Sequence, residues 1–89
     1  MSLRILYVGN DLALYRFLEA TLEMKIVRCV GQSNARVLIS GIQYSAVLLD
    51  DTEKELERFI HKLRIHKKTP ILIVSGSPES VAETLRRSL

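Results

Sequence analysis

Polar residues follow three aliphatic runs of this chain, at the point where each run ends. Gly-Asn-Asp at 9–11 follows the first run, Asp-Asp-Thr at 50–52 the second, and Ser-Gly-Ser at 75–77 the third. If the runs are parallel strands, these residues meet at one edge of a sheet, near the point where the strand order reverses. Carboxylates, a carboxamide and hydroxyls would then share one small volume, which predicts a polar binding pocket.

Oxygen-bearing side chains of this kind suit a hard divalent cation such as Mg²⁺, which prefers oxygen ligands and keeps several waters. The candidate ligands are Asp11, Asp50 and the backbone carbonyl of Thr52, with Asn10 as a weaker candidate. A carboxylate beside such an ion, here Asp50, could accept a phosphoryl group as an acyl phosphate, with Ser75 donating a hydrogen bond. The residue types are therefore compatible with phosphoryl transfer to Asp50.

The same residues also have purely structural interpretations. Asp11 is placed to cap the first predicted helix, Asp51 to assist the third, and Ser75 to bond local backbone. Asp50 is harder to explain in this way, because it ends an aliphatic strand. An ionised carboxylate in that position needs hydrogen-bond partners or solvent access.

Four segments rich in Ile, Leu and Val predict strands, at residues 3–8, 25–30, 45–50 and 70–75. Each is followed by a helical pattern. We expect a first helix over about 11–23, a second that Ser33 caps and Gly41 closes in a left-handed turn, a third that Thr52 caps, and a fourth from residue 77 or 79 to 87. The apolar stripe of the third helix is predicted to be Leu56, Phe59, Ile60 and Leu63.

Strands that alternate with helices predict a doubly wound parallel α/β sheet in a single domain over residues 1–89. The third and fourth strands are continuous aliphatic runs, which is typical of central strands. Lys25 and Arg28 indicate that the second strand lies at an edge. The predicted strand order is therefore 2-1-3-4.

The composition of the chain limits the classes of protein to which it can belong. With 47% hydrophobic and 26% charged residues the chain should fold. Cys29 is the only cysteine, so neither a disulfide nor a cysteine metal site can form, which fits a reducing cytoplasm. No apolar run approaches the roughly 20 residues that cross a bilayer, so no membrane association is expected.

The net charge of +3 derives largely from a basic segment at residues 58–68. We interpret it as the solvated end of the third helix, because cations there complement the negative end of the helix dipole, and we expect no direct nucleic-acid contact. His61 and His66 are expected to be solvated, and the three tyrosines, Tyr7, Tyr15 and Tyr44, to pack with exposed hydroxyls. Without a glycine-rich phosphate loop or a nucleophile and base pair, the chain is not expected to be an enzyme.

Three segments resemble the receiver domains of two-component response regulators. Residues 5–11 resemble the first strand and acidic corner, residues 46–50 the phosphoacceptor strand, and residues 70–76 the strand that bears the switch hydroxyl. The resemblance implies a flavodoxin-like receiver fold in phosphorelay signalling. It also implies Asp50 as phosphoacceptor, Ser75 as switch hydroxyl, Gly76 as the small residue beside the phosphate, and a histidine kinase or phosphotransfer protein as partner.

The chain also departs from the receiver pattern. Gly9 and Asn10 stand where the family has its acidic pair, and Asp11 comes one place later. The loop after Asp50 is short, and the family's fifth strand, its lysine and its last helix have no counterpart. These departures favour an alternative hypothesis, in which a degenerate receiver acts as a phosphate-independent interaction or homodimerisation module.

Overall fold

The computed structural model describes residues 3–89, in which strands and helices alternate. Residues 1 and 2 of the predicted domain lie outside the described residues. The strands are β1 (Arg4–Val8), β2 (Lys25–Cys29), β3 (Ala46–Leu49) and β4 (Ile71–Ile73). The α-helices are α1 (Leu12–Thr21), α2 (Gln32–Gly41), α3 (Leu56–Lys62) and α4 (Pro78–Ser88), and single 3₁₀ turns lie at Asp51–Glu53 and Arg64–His66.

The strands form one parallel sheet in the order β2-β1-β3-β4, which confirms the predicted doubly wound α/β fold. The chain moves outward from β1 to β2 and then returns to the other side of β1 for β3. The strand order therefore reverses between β1 and β3, and the carboxyl ends of these two strands border the crevice in which such folds bind ligands. The arrangement is flavodoxin-like.

Side chains that alternate along β1 build two cores, one on each face of the sheet. Ile5 and Tyr7 pack in the core formed with α1 and α4, whereas Leu6 and Val8 pack in the core formed with α2 and α3. All four are fully buried. A strand covered on both faces and paired on both edges has no solvated side, which explains its nearly uninterrupted aliphatic sequence. No helix between residues 3 and 89 is long and apolar enough to cross a bilayer.

The prediction that the fourth strand is central was wrong. Within the described chain β4 pairs with β3 alone, and its three aliphatic residues are only half-buried. An aliphatic run indicates that other elements pack on both faces of a strand, and this is true of β4. The run does not report whether a second strand lies beside it.

The predicted cap of α1 is confirmed, and α4 has a serine cap that was not predicted. Asp11 accepts a hydrogen bond from the Leu14 amide at 3.0 Å, and Ser77 accepts one from the Ser80 amide at 3.2 Å. Each satisfies one of the amides that a first helical turn leaves unpaired.

The predicted caps of α2 and α3 were wrong, whereas the predicted end of α2 was right. Helix α2 begins at Gln32, after Gly31 in a left-handed conformation with φ of +91°, so Ser33 lies inside the helix. The helix does end at Gly41, but Gly41 has no positive φ. Thr52 lies in the 3₁₀ turn that precedes α3 and caps nothing. The apolar stripe of α3 was correct, with Leu56 and Ile60 buried and Phe59 and Leu63 half-buried against them.

Helix α2 offers a matched test of this packing. Ile39 is fully buried and Val37 is 73% exposed on the same helix. We expect Ile39→Ala to lower the free energy of unfolding by about 2–5 kcal/mol, because it leaves a cavity in the core. Val37→Ala should change it by less than about 0.5 kcal/mol. Urea unfolding of the two variants would contradict the assigned burial if they lost similar stability.

Candidate functional site

The carboxyl ends of β1 and β3 bring Gly9 and Asp50 together. The parallel register pairs Val8 with Leu49. Backbone bonds then continue past the strand ends, from the Asp50 amide to the Val8 carbonyl at 3.0 Å and from the Gly9 amide to the Cys29 carbonyl at 3.0 Å. These hydrogen bonds hold the backbone at Gly9 and Asp50 in place. The polar residues that follow the two strands begin there, at the crevice.

Both carboxylate oxygens of Asp50 accept hydrogen bonds. The Tyr7 hydroxyl donates to Oδ1 at 2.8 Å, and the Asn10 amide donates to Oδ2 at 3.2 Å. Asp50 is half-buried, so these bonds replace part of the water that an ionised carboxylate would otherwise require. Asp50 thus has a tyrosine hydroxyl and a backbone amide as its hydrogen-bond donors.

Tyr7 connects the two sides of this site. Its hydroxyl also accepts a hydrogen bond from the Asp11 amide at 3.2 Å. The Asp11 amide thus donates to Tyr7, and Tyr7 donates to Asp50. Tyr7 is fully buried, which corrects the prediction of an exposed hydroxyl. Its ring lies in the core beside α1, and its length carries the hydroxyl to the end of the sheet.

Gly9 is closed in by the same two partners. A Cβ atom on residue 9 would overlap the carboxylate of Asp50 and the hydroxyl of Tyr7. Tyr7 and Gly9 are two residues apart, so they follow the strand alternation onto the same side of the sheet. The spacing of two residues between Tyr7 and Gly9 could have predicted this contact from the sequence, but the prediction did not use it.

The pKa of Tyr7 is raised far above its ordinary value. Burial is the largest cause, since it penalises the phenolate, and the hydrogen bond to Asp50 adds to it. The proton therefore stays on the tyrosine throughout the physiological range. Tyr7 is a permanent donor to the carboxylate.

The other predicted site residues lie around this pair without completing a ligand set. The side chain of Asp11 points to the start of α1, where it caps, and Thr52 is exposed in the 3₁₀ turn. Asn10 contributes its backbone amide to Asp50. No group of three or more His, Cys, Asp or Glu side chains in the described chain is placed to hold a metal ion, and the Mg²⁺ site stays a prediction.

Ser75 and Gly76 are exposed beyond β4. Ser75 lines a cavity of about 240 Å³ between β4 and α4, whose other walls are Leu48, Leu72, Ile73, Ser80, Val81 and Thr84. Asp50 is not among the residues that line it. Gly76 has a φ of +80°, a left-handed conformation that suits glycine at this turn into α4.

No known family profile matches the chain, and no curated protein or solved structure shows significant similarity to it.

The variant Gly9→Ala tests whether Asp50 and Tyr7 lie as close to residue 9 as the structure shows. The added methyl group must displace Asp50 or Tyr7, so we expect the free energy of unfolding to fall by about 1–3 kcal/mol. Gly41→Ala is the control, because a Cβ there meets open space, and it should be neutral or stabilising by about 0.4–1 kcal/mol. The effect of Gly9→Ala should be smaller when it is measured in an Asp50→Ala background, where the methyl group no longer meets the carboxylate. Equal stability of the two single alanine variants would disprove the close approach.

The raised pKa of Tyr7 predicts a pH dependence. Because the folded pKa exceeds the unfolded value of about 10, the stabilisation is complete below about pH 10 and is lost as the pH rises above it. We expect urea unfolding to show a decline of wild-type stability above about pH 10. The decline should be smaller in Tyr7→Phe, which has no hydroxyl to ionise. An identical decline in both proteins would show that Tyr7 ionises equally easily in the folded and unfolded states.

Proposed function

We propose that this chain is a receiver-like domain of two-component signalling that acts through protein contacts without phosphorylation of Asp50. The observation that carries the proposal is the hydrogen bonding of both Asp50 oxygens, one by the buried Tyr7 hydroxyl and one by the Asn10 amide. In this proposal Asp50 is a structural acceptor. It fixes the ends of β1 and β3 relative to each other.

Phosphorylation would weaken this arrangement. A carboxylate oxygen must be free to attack a phosphodonor, and a cation must neutralise the charge that accumulates around it. Attack by Oδ1 would turn the acceptor of the Tyr7 hydrogen bond into an ester oxygen, which accepts more weakly, beside a buried phenol that keeps its proton. Gly9 offers no carboxylate to a cation, and the carboxylate of Asp11 is used at the start of α1.

The contact surface in this proposal is the β4 edge of the sheet. In residues 3–89 one side of β4 has no strand partner, and Ile71, Leu72 and Ile73 are each half-buried. An edge of this kind presents backbone donors and acceptors together with aliphatic surface, which favours pairing with another strand. A homodimer through β4 is the simplest partner arrangement, and the buried free thiol of Cys29 suits a cytoplasmic location.

Asp50 as a magnesium-dependent phosphoacceptor is the second candidate. It is favoured by the position of Asp50, which is half-buried at the crevice between β1 and β3 and so accessible from solvent. In this case Ser75 and Gly76 would contact the phosphoryl group. The phosphodonor would be a histidine kinase or a phosphotransfer protein.

Intact mass after incubation with acetyl phosphate and Mg²⁺ separates the two candidates. We expect no phosphoryl adduct on the folded wild-type protein, because Gly9 and the capping Asp11 leave no second carboxylate to hold a cation beside Asp50. Sedimentation of the same samples should give one association state with and without the phosphodonor. Circular dichroism confirms that the protein tested is folded.

The matched control is Asp50→Asn, which keeps the size of the side chain and removes the nucleophile. One adduct on the wild type that is lost in this variant would overturn the phosphate-independent proposal and establish the second candidate. A change of association state that needs both the phosphodonor and Asp50 would do the same.

A further inference from the structure

A basic cleft lies at the opposite end of the sheet from Asp50. It has a volume of about 480 Å³ and is bounded by residues 43–45, which lead into β3, and residues 64–70, which lead into β4. Arg64, Lys67 and Lys68 line it, together with the hydroxyl-bearing residues Ser45 and Thr69. No carboxylate is among the lining residues, which are completed by Gln43, Tyr44, Ile65 and Pro70.

The three cations of this cleft have no carboxylate partners. The ion pairs of the described chain lie elsewhere, between Lys54 and Asp51 and between Arg87 and Glu83. Arg64, Lys67 and Lys68 are exposed around one cleft, so their like charges repel each other through solvent. A bound anion would remove that repulsion.

A buried histidine fixes the shape of the cleft, which corrects the prediction that His66 is solvated. His66 is fully buried, whereas His61 is exposed as predicted. The Ile42 carbonyl only accepts, so His66 Nε2 donates to it at 3.1 Å and Nδ1 accepts from the Thr69 hydroxyl at 3.0 Å. The two walls of the cleft are thus joined through one side chain.

Tyr44 adds to this framework. Its ring stacks on His66 with centroids 6.2 Å apart and an interplanar angle of 16°. Its hydroxyl is buried and has no hydrogen-bond partner in the part of the chain that the structure describes.

We propose that this cleft binds a small phosphate-bearing anion. The volume lies in the range of small-ligand sites. Arg64 provides a planar fork for two phosphate oxygens, and Lys67 and Lys68 provide mobile ammonium groups. Tyr44 is 2% exposed, so no aromatic face is open for base stacking, and recognition depends on the phosphate groups.

This site is independent of the phosphorylation question, since it lies at the amino ends of β3 and β4 while Asp50 follows the carboxyl end of β3. Pyrophosphate is the probe, titrated calorimetrically without added metal, with inorganic phosphate beside it. We expect saturable binding to the wild type, tighter for pyrophosphate than for phosphate. Binding should be unchanged in Asp50→Asn.

Two charge-matched double variants test the assignment. Arg64→Gln with Lys68→Gln removes two cleft cations, and we expect it to weaken pyrophosphate binding by about tenfold or more. Arg16→Gln with Arg58→Gln removes the same charge from the exposed faces of α1 and α3 and should change binding by less than about twofold. Amide chemical shifts should move at residues 64–69.

Three results would overturn the proposal. The first is the absence of saturable pyrophosphate binding to the folded wild type. The second is equal weakening in both double variants, which would indicate attraction to net charge alone. The third is tighter binding of a short single-stranded DNA, lost in the cleft variant, which would assign the surface to nucleic acid.

Discussion

The hydrogen bond from Tyr7 to Asp50 determines how the carboxyl end of the sheet is built. Asp50 follows a strand with no solvated face, so its charge needs donors close by. Tyr7 supplies one from inside the core, at a position where a shorter side chain would end below the strand terminus. Once the phenol is there, residue 9 has no room for a side chain, and the amide of Asp11 has an acceptor. One buried bond thus constrains the whole junction of β1 with α1.

The charges at the two ends of the sheet follow the direction of the helices. Each helix starts at the carboxyl edge of the sheet and ends at the amino edge, because it returns the chain to a parallel strand. Asp11 lies where the helix dipole is positive, while Lys62 at the end of α3 lies where it is negative. The basic cleft continues this pattern at the amino edge, but its cations surround a cavity, so the dipole alone does not account for their arrangement.

The sequence predicted what depends on periodicity and local capping. Strand order followed from the alternation of strands with helices and from Lys25 and Arg28 on β2, and Asp11 proved to be a cap because its bond spans three residues. The missed features depend on tertiary distance. Ser33 and Thr52 are good cap types that the backbone did not use, since Gly31 starts α2 and a 3₁₀ turn precedes α3. The hydroxyl of Tyr7 and the ring of His66 found partners 43 and 24 residues away, and no local pattern contains that information.

The central position of β1 also has a kinetic consequence. Arg4 pairs with Lys25, whereas Ile5 pairs with Ala46, roughly twice as far along the chain. During synthesis the β1–β2 pair can therefore close early, at a modest loop entropy, while the other edge of β1 waits for β3 to emerge. Tyr7 has no acceptor until Asp50 has been added to the growing chain, so this end of the domain can reach its final hydrogen bonding only after β3 has been made.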